Sequence, residues 1–324
     1  MILIVTTTYE RAVTNVCKWL TFYNIRFVRM TLNELLEAFY TFDLGTNMIS
    51  FKTKSTCFSL DEIKAVWIRK ANFEVENNKV FEYNNYNKED LFRFLNQEIQ
   101  ILTNYIFHVL QSCKPFIGVF FSSGFNKLIV LKLAKDCGFS LPSTKIITNP
   151  KTLRIDNQER YITKPISEIF ISRFGTEYFA SYTSIIDNKD LNDEIIFPSL
   201  IQELIMKKSD LRVFIIGRNV YAVSINILNE GNIDWRHVSD KKNIFYLPYK
   251  LPHNIIEKIF SLMNSLNLRI GALDLIEDIN GDIYFIEINP DGDFDMIQDT
   301  LGINIDEKIA SYIIEIQNEK YENI

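Results

Sequence analysis

The chain has 324 residues, too many for one small hydrophobic core, which predicts two or three packed lobes. Hydrophobic residues make up 47% and charged residues 23%, as in ordinary globular proteins, and the net charge of −6 argues against nucleic acid or an anionic membrane as a partner. No apolar run approaches the roughly 20 residues that span a bilayer. The amino terminus also lacks a signal-peptide pattern, so we expect a cytoplasmic protein.

Cysteine and histidine patterns argue against two common kinds of site. The four cysteines contain no Cys-x-x-Cys pair, and we expect them to be reduced core thiols: Cys17, Cys57, Cys113 and Cys137. The three histidines share no metal-ligand spacing, so zinc binding and a Ser-His-Asp triad have no support.

The first predicted domain covers residues 1–115 and mixes strands with helices. Short apolar runs predict strands at 1–5, 27–30 and 65–69. A helix over 10–23 is indicated by apolar residues at helical spacing, namely Val13, Val16, Cys17 and Leu20. The polar stretch 74–90 is predicted to be a loop. The helix after it, over 88–110, is expected to bury one stripe, formed by Leu91, Leu95, Ile99, Leu102 and Ile106.

Two further domains are predicted, over residues 116–196 and 197–324. The first contains a helix at 126–137 ended by Gly138, a strand at 160–164, and a hairpin formed by 169–173 and 177–183. The second contains strands at 199–205, 211–216 and 220–227, a helix at 253–267, a hairpin, and a last helix at 305–316. This order of elements predicts α/β or α+β lobes.

The hairpin at residues 271–290 carries the most specific pattern. Asn280-Gly281 predicts a two-residue type I′ turn, with positive φ at both residues. That turn places Asp274 opposite Glu287 and Ala272 opposite Asn289, so that the polar side chains share one face. Opposed carboxylates repel, and a divalent cation relieves the repulsion. Three oxygen donors suit Mg²⁺. The alternative is an edge hairpin with ordinary surface acids.

An Asp followed by a Glu-x-Asn pair resembles the metal ligands of the ATP-grasp superfamily. The resemblance implies an ATP-grasp fold, ATP, and two Mg²⁺ ions held by Asp274, Glu287 and Asn289. Matching motifs imply further nucleotide contacts from Lys127, Lys164, Gln202, Glu203, Leu204, Ile205, Lys207 and Asp210. Two arginines, Arg212 and Arg236, are implied to stabilise the acyl phosphate and the tetrahedral intermediate.

Within that superfamily the chain is similar to maturases of ribosomally made, side-chain-cyclised peptides, the microviridin-like graspetides and grasp-with-spasm systems. The likeness lies in 197–199, 248–252, the Asn289-Pro290-x-Gly292 end, Trp19-Leu20 and 66–69. It implies a precursor peptide with leader and core as partner and ester or amide ring formation as activity, and leaves a homodimer open. Two alternatives remain: a ligase that adds a free amino acid to a peptide or small acid, and a catalytically weak homologue that binds peptide.

Two expectations concern the peptide. The family usually has Gln after Gly292, and here Asp293 follows; either Asp293 orients the attacking group or the loop is a solvated acidic surface. Gly292 is expected to turn the chain through a positive φ. Aromatic residues within 167–183 form either a leader-binding surface or the core of a small hairpin lobe: Phe170, Phe174, Tyr178 and Phe179.

Overall fold

The computed structural model describes residues 1–43, 45, 48–53, 56–71, 88–119, 125–153, 160–167, 171–174, 177–181, 183–186, 196–227 and 243–319. These residues form the helices α1 (Arg11–Phe22), α2 (Leu32–Ala38), α3 (Lys88–Cys113), α4 (Lys127–Asp136), α5 (His253–Ser265), α6 (Asp295–Leu301) and α7 (Ile305–Ile316). Mixed helices and sheets confirm the predicted α/β class. No helix in these ranges combines the length and the apolar character needed to cross a bilayer.

The chain divides into two compact units. The first consists of Met1–Phe125, Leu268–Ile270 and Ile303–Ile324, and the second of Asn126–Asn267 and Gly271–Gly302. The carboxy-terminal helix α7 therefore belongs to the same unit as the amino terminus, where it contacts α1. The three-domain division over 1–115, 116–196 and 197–324 stays a prediction.

The first unit contains a parallel sheet and a small antiparallel sheet. Its strands are β1 (Ile2–Thr6), β2 (Phe27–Met30), β3 (Phe39–Asp43), β4 (Met48–Lys52), β5 (Cys57–Ser59), β6 (Ala65–Arg69) and β7 (Phe116–Ile117). The parallel sheet has the order β2-β1-β6-β7, and the antiparallel sheet the order β3-β4-β5. The second sheet was not predicted. The parallel strands β1 and β6 are buried along their whole length, as continuous apolar runs predict.

Two predictions about burial are wrong in part. Leu102 on α3 is 37% exposed, because the buried face near the end of that helix is formed by Thr103, Ile106, Phe107 and Leu110. All four cysteines are free, but only Cys17 is buried; Cys57 is exposed at the start of the edge strand β5, and the other two are half-buried. The predicted loop 74–90 lies outside the described residues up to residue 87.

The described residues of the second unit form three sheets. Its strands are β8 (Thr144–Ile147), β9 (Tyr161–Lys164), β10 (Ile171–Phe174), β11 (Glu177–Ala180), β12 (Ser184–Ile185), β13 (Ser199–Glu203), β14 (Lys207–Ile216), β15 (Asn219–Ile227), β16 (Ile244–Pro248), β17 (Ile270–Asp278) and β18 (Ile283–Asn289). The sheets have the orders β12-β9-β13-β8, β10-β11 and β16-β15-β14-β17-β18. The β10–β11 hairpin was predicted, whereas β8 and β16 were not.

The five-stranded sheet positions the polar residues discussed below. Helix α5 contacts α4, and its buried stripe is Ile255, Ile259, Leu262 and Met263. Helix α6 contacts β14, β15 and β16. Phe214 on β14 packs against Phe294, which precedes α6, with ring centroids 5.0 Å apart. The loop between β18 and α6 is thereby held against β14.

Candidate active site

The β17–β18 hairpin places the predicted ligand residues together. Asp274 lies directly opposite Glu287, and Ala272 directly opposite Asn289, as predicted. Paired residues of antiparallel strands share a face, so the three polar side chains lie on one side of the hairpin. Asp274 and Glu287 are half-buried and Asn289 is exposed, while Leu273, Leu275 and Ile288 are buried on the other side.

The turn of this hairpin differs from the prediction. Asp278 N donates to Asp282 O, which leaves three residues in the loop rather than two. Only Gly281 of the loop has a positive φ, at +89°, so the turn is not type I′. The extra loop residue shifts the register by one. A β-bulge between Asp274 and Leu275 shifts it back, and the predicted pairs are restored at the site.

Arg212 on β14 is the direct partner of Asp274. Its Nη1 donates to Asp274 Oδ1 at 2.6 Å, and the two side chains are 16% and 23% exposed. Arg212 lies in the apolar second half of β14, residues 211–216, where a charged side chain needs such a partner because an unpaired buried charge is costly. The predicted catalytic cation and the predicted metal ligand are thus brought into contact.

Lys127 lies beside the second carboxylate. Its Nζ is 3.8 Å from Glu287 Oε2, and it donates to the carbonyl of Ser167 at 3.2 Å. The lysine is the first residue of α4. That helix begins there because the Asn126 side chain accepts hydrogen bonds from the backbone N–H groups of Leu128 and Ile129. The sequence pattern Asn-Lys therefore sets both the helix start and the position of the cation.

The loop after β18 encloses the guanidinium of Arg212. Asn289 Oδ1 accepts from the Asp291 N–H at 2.9 Å, and Arg212 Nη2 donates to the Asp293 carbonyl at 3.1 Å. Gly292 does not have the expected positive φ. A side chain there would instead collide with the Ala272 methyl group and lie 2.8 Å from Arg212 Nη2. Gly292 is needed for space, a role that sequence reasoning missed although the Asn-Pro-x-Gly pattern marked the position.

Asp293 lies at the outer edge of the same loop. Its side chain is exposed, and its main-chain carbonyl is the group that contacts Arg212. The orientation of an attacking group by this carboxylate stays a prediction. The second predicted arginine, Arg236, lies outside the described residues.

Several predicted nucleotide residues lie on two adjacent strands of the second unit, β9 and β13, or directly after them. Lys164 on β9 pairs with Leu200 on β13, the strand that also contains Gln202 and Glu203. Gln202 is buried and donates through Nε2 to Thr144 Oγ1 at 2.9 Å, while Glu203 is exposed and accepts from the Ser143 N–H at 3.2 Å. The backbone N–H of Leu204 donates to Arg160 O at 2.8 Å, and Ile205 follows.

Two more ion pairs lie at the start of β14. Lys207 Nζ donates to Asp210 Oδ2 at 2.6 Å, which joins two predicted nucleotide residues. Glu277, which sequence reasoning did not single out, is buried on β17 and accepts from Lys208 Nζ at 3.1 Å and Ser209 Oγ at 3.2 Å. Burial, the charge of Glu277 and a hydrogen bond with it all raise the pKa of the Tyr249 hydroxyl. Glu277 stands next to Asp278 at the end of β17, where acids are ordinary, so the sequence carried no specific signal for this cluster.

The donor set of the hairpin fits Mg²⁺. Two opposed carboxylates and an amide are hard oxygen ligands, and both carboxylates are partly exposed to solvent. Within the described part of the chain, no three His, Cys, Asp or Glu side chains cluster as metal ligands, so a cation at the hairpin depends on the Asn289 amide as the third donor.

Comparisons with known proteins identify the family and the fold. A sequence search among curated proteins finds no match. A RiPP-associated ATP-grasp ligase from Chryseobacterium gregarium, solved with ADP and a leader and core peptide, superposes with a TM-score of 0.80 at 24% identity, over 99% of this chain and 98% of that chain. The macrocyclase MdnC from Microcystis aeruginosa MRC, bound with precursor peptide MdnA, superposes with a TM-score of 0.77 at 20% identity, over 97% and 99%.

A third solved structure, the ATP-grasp ligase PsnB with a phosphomimetic variant of minimal precursor, Mg and ADP, has a TM-score of 0.71 at 16% identity, over 98% of each chain. At these identities the likeness establishes the fold, and it confirms the predicted ATP-grasp architecture. The model of the RimK-like ATP-grasp domain matches residues 126–313, more than half of the sequence. The chain belongs to the RimK-like ATP-grasp family.

Proposed function

We propose that the chain is an ATP-dependent ligase that activates Asp or Glu side chains of a ribosomally made precursor peptide and joins them to hydroxyl or amine groups of the same peptide. The observation that carries the proposal is the opposed pair Asp274 and Glu287, with Arg212 and Lys127 beside it. Carboxylates and cations at this spacing suit a reaction in which phosphate charge must be positioned and neutralised.

ATP and Mg²⁺ are the cofactors of this activity, as membership of the ATP-grasp family implies. Asp274, Glu287 and Asn289 would hold two Mg²⁺ ions. The nucleotide would lie against Lys127, Lys164, the segment 202–205, Lys207 and Asp210. Bound ATP supplies the phosphoryl group that turns a carboxylate, a poor acyl donor, into an acyl phosphate with a good leaving group.

The cations of the chain have separate tasks. Lys127 offsets phosphate charge with an ammonium group on a flexible side chain. Arg212 has a planar guanidinium group that can form two hydrogen bonds to an acyl phosphate. Arg236 is proposed to stabilise the acyl phosphate and the tetrahedral intermediate as well. Asp293 is proposed to orient the hydroxyl or amine that attacks, by accepting its proton or hydrogen-bonding to it.

The peptide partner is supported by the three similar structures: one contains a leader and core peptide, one a precursor peptide, and one a variant of a minimal precursor. The β10–β11 hairpin is the proposed leader-binding surface. Phe179 on β11 is 61% exposed, which suits an interface better than a lobe core. The side chains of Phe170, Phe174 and Tyr178 lie outside what the structure describes.

The test is mass spectrometry of a peptide encoded next to this chain and rich in Thr, Lys, Asp and Glu. Incubation with the protein, ATP and Mg²⁺ should remove one water per bond formed. A mass gain would indicate the alternative ligase that adds a free amino acid. Binding of peptide without ATP consumption would indicate a catalytically weak homologue. Replacing Phe179 with Ala should weaken binding of the peptide and leave ATP affinity unchanged.

A further inference from the structure

Both carboxylates of the hairpin are already near a cation of the chain itself. Asp274 Oδ1 accepts from Arg212 at 2.6 Å, and Glu287 Oε2 lies 3.8 Å from Lys127. Opposed carboxylates on neighbouring strands would otherwise repel each other. Two cations of the chain therefore lie beside the carboxylates that a bound divalent cation would neutralise.

Arg212 is the more firmly held of the two cations. Its Nη1 binds Asp274, its Nη2 binds the Asp293 carbonyl, and the missing side chain of Gly292 leaves the space that Nη2 fills. Lys127 makes a longer contact with its carboxylate and donates to Ser167 O instead. A bound cation would therefore compete mainly with Arg212, for the carboxylate of Asp274.

We propose that Arg212 is an internal counterion of Asp274 and exchanges with the divalent cation at this hairpin. A guanidinium and a divalent cation at one carboxylate repel each other, because both are positive and only a few ångströms apart. Binding of the cation releases Arg212 from Asp274. The guanidinium of Arg212 is then available to bind an anionic group of the peptide, a consequence that rests on the proposed function. Metal would bind before the peptide carboxylate.

The exchange predicts that the wild-type arginine weakens cation binding. Mn²⁺ affinity is measured by electron paramagnetic resonance on the full chain without nucleotide or peptide. Arg212→Met removes the competing charge and keeps much of the side-chain volume. We expect Mn²⁺ to bind about tenfold more tightly, because a charge-assisted hydrogen bond no longer has to be broken.

Two matched variants assign the effect to this pair. Lys208→Met removes a cation from Glu277, a carboxylate on the same strand as Asp274, and should change Mn²⁺ affinity by less than about twofold because the exposed charge is screened. Asp274→Asn in the Arg212→Met background should abolish the gain. Unchanged or weaker Mn²⁺ binding in Arg212→Met, or a gain that survives Asp274→Asn, overturns the proposal.

Gly292→Ala tests the exchange without removing any charge. In an Ala272→Gly background the collision with the Ala272 methyl group is relieved, and the new methyl group still displaces Arg212 Nη2. Tighter Mn²⁺ binding than in Ala272→Gly alone is expected, and weaker or unchanged binding contradicts the proposal. If Mn²⁺ affinity rises as expected but no peptide is modified, the proposed function fails and the exchange stands.

Discussion

Arg212 and Asp274 lie on neighbouring strands of one sheet and share a 2.6 Å hydrogen bond between Nη1 and Oδ1. At 16% and 23% exposed, both side chains are largely withdrawn from water. Lys132 and Asp136 on α4 are almost as close, at 2.7 Å, but are 75% and 55% exposed. The two donor–acceptor distances are similar and the exposures differ, so a comparison of the two pairs separates the effect of burial from the effect of distance.

A double-mutant cycle on Arg212→Met and Asp274→Asn should give a coupling free energy of about 2 kcal/mol in urea unfolding, because the hydrogen bond is charge-assisted and shielded. The same cycle on Lys132→Met and Asp136→Asn should give less than about 0.5 kcal/mol, because water and salt screen an exposed pair. Equal coupling in the two cycles would contradict the role given to burial.

Glu287→Gln should lower ATP consumption by at least about a hundredfold, because it removes one charged ligand from the cation site. The free energy of unfolding should change by less than about 0.5 kcal/mol, since the contact with Lys127 is long and partly exposed. Steady-state ATP consumption and urea unfolding check the two statements. Glu257→Gln on the exposed surface of α5 is the matched control and should leave both unchanged. Full turnover in Glu287→Gln would remove this residue from the site.

Asp293→Asn should slow formation of the ester or amide cross-link in the peptide by about tenfold or more while ATP affinity stays unchanged. The reason is that the amide of Asn cannot accept a proton from the attacking group. The main-chain carbonyl of Asp293, rather than its carboxylate, binds Arg212, so the position of Arg212 should be preserved in the variant. Single-turnover kinetics with the peptide measure the effect. A wild-type rate in this variant would mean that the acidic loop is a solvated surface loop and that the Asp293 carboxylate has no role in the reaction.

Gly281→Ala should destabilise the protein by about 1 kcal/mol, because a Cβ at a φ of +89° strains the backbone. In the described part of the chain no atom lies within 4 Å of the added methyl group, so the expected cost is one of backbone conformation. Gly281→Asn should cost less, since Asn tolerates a positive φ better. Urea unfolding of both variants gives the comparison, and an Ala variant as stable as the Asn variant would contradict this reading of the turn.

Asp306, in the first turn of α7, should make stability depend on pH. Burial raises the pKa of its carboxyl, against a hydrogen bond from Asn15 and the charges of Arg11, Arg69 and Lys18, which lower it. Its Oδ1 is buried and has no hydrogen-bond partner among the residues that the structure describes. The folded state therefore binds the proton more tightly than the unfolded state does, and stability falls as pH rises from the ordinary carboxyl pKa through the raised value.

Asp306→Asn removes this titration. The variant should therefore gain stability relative to the wild type between about pH 4 and about pH 7, because only the wild type must ionise a buried carboxyl over that range. Urea unfolding at the two pH values measures the difference. The same free-energy difference at both values would show that Asp306 does not titrate differently in the folded and unfolded states.

The sequence by itself determined the elements whose signal is local. Apolar runs located β1, β2 and β6, and helical spacing located α1 and α7, because each pattern records which face of a segment must be buried. It also identified Asp274 opposite Glu287, although by a turn that the protein does not use. The three-residue loop and the bulge shift the register in opposite directions, and a two-residue loop without a bulge yields the same pairs.

Only the tertiary structure decided the contacts that link distant segments. The pairing of Arg212 with Asp274 depends on β14 lying beside β17, and sequence spacing carries no record of that neighbour. Gly292 is a requirement for space between Ala272 and Arg212, which no local rule for glycine reveals. Strands β8 and β16 escaped prediction for the same reason, since much of each is exposed and their pairing comes from neighbours that long connections bring together.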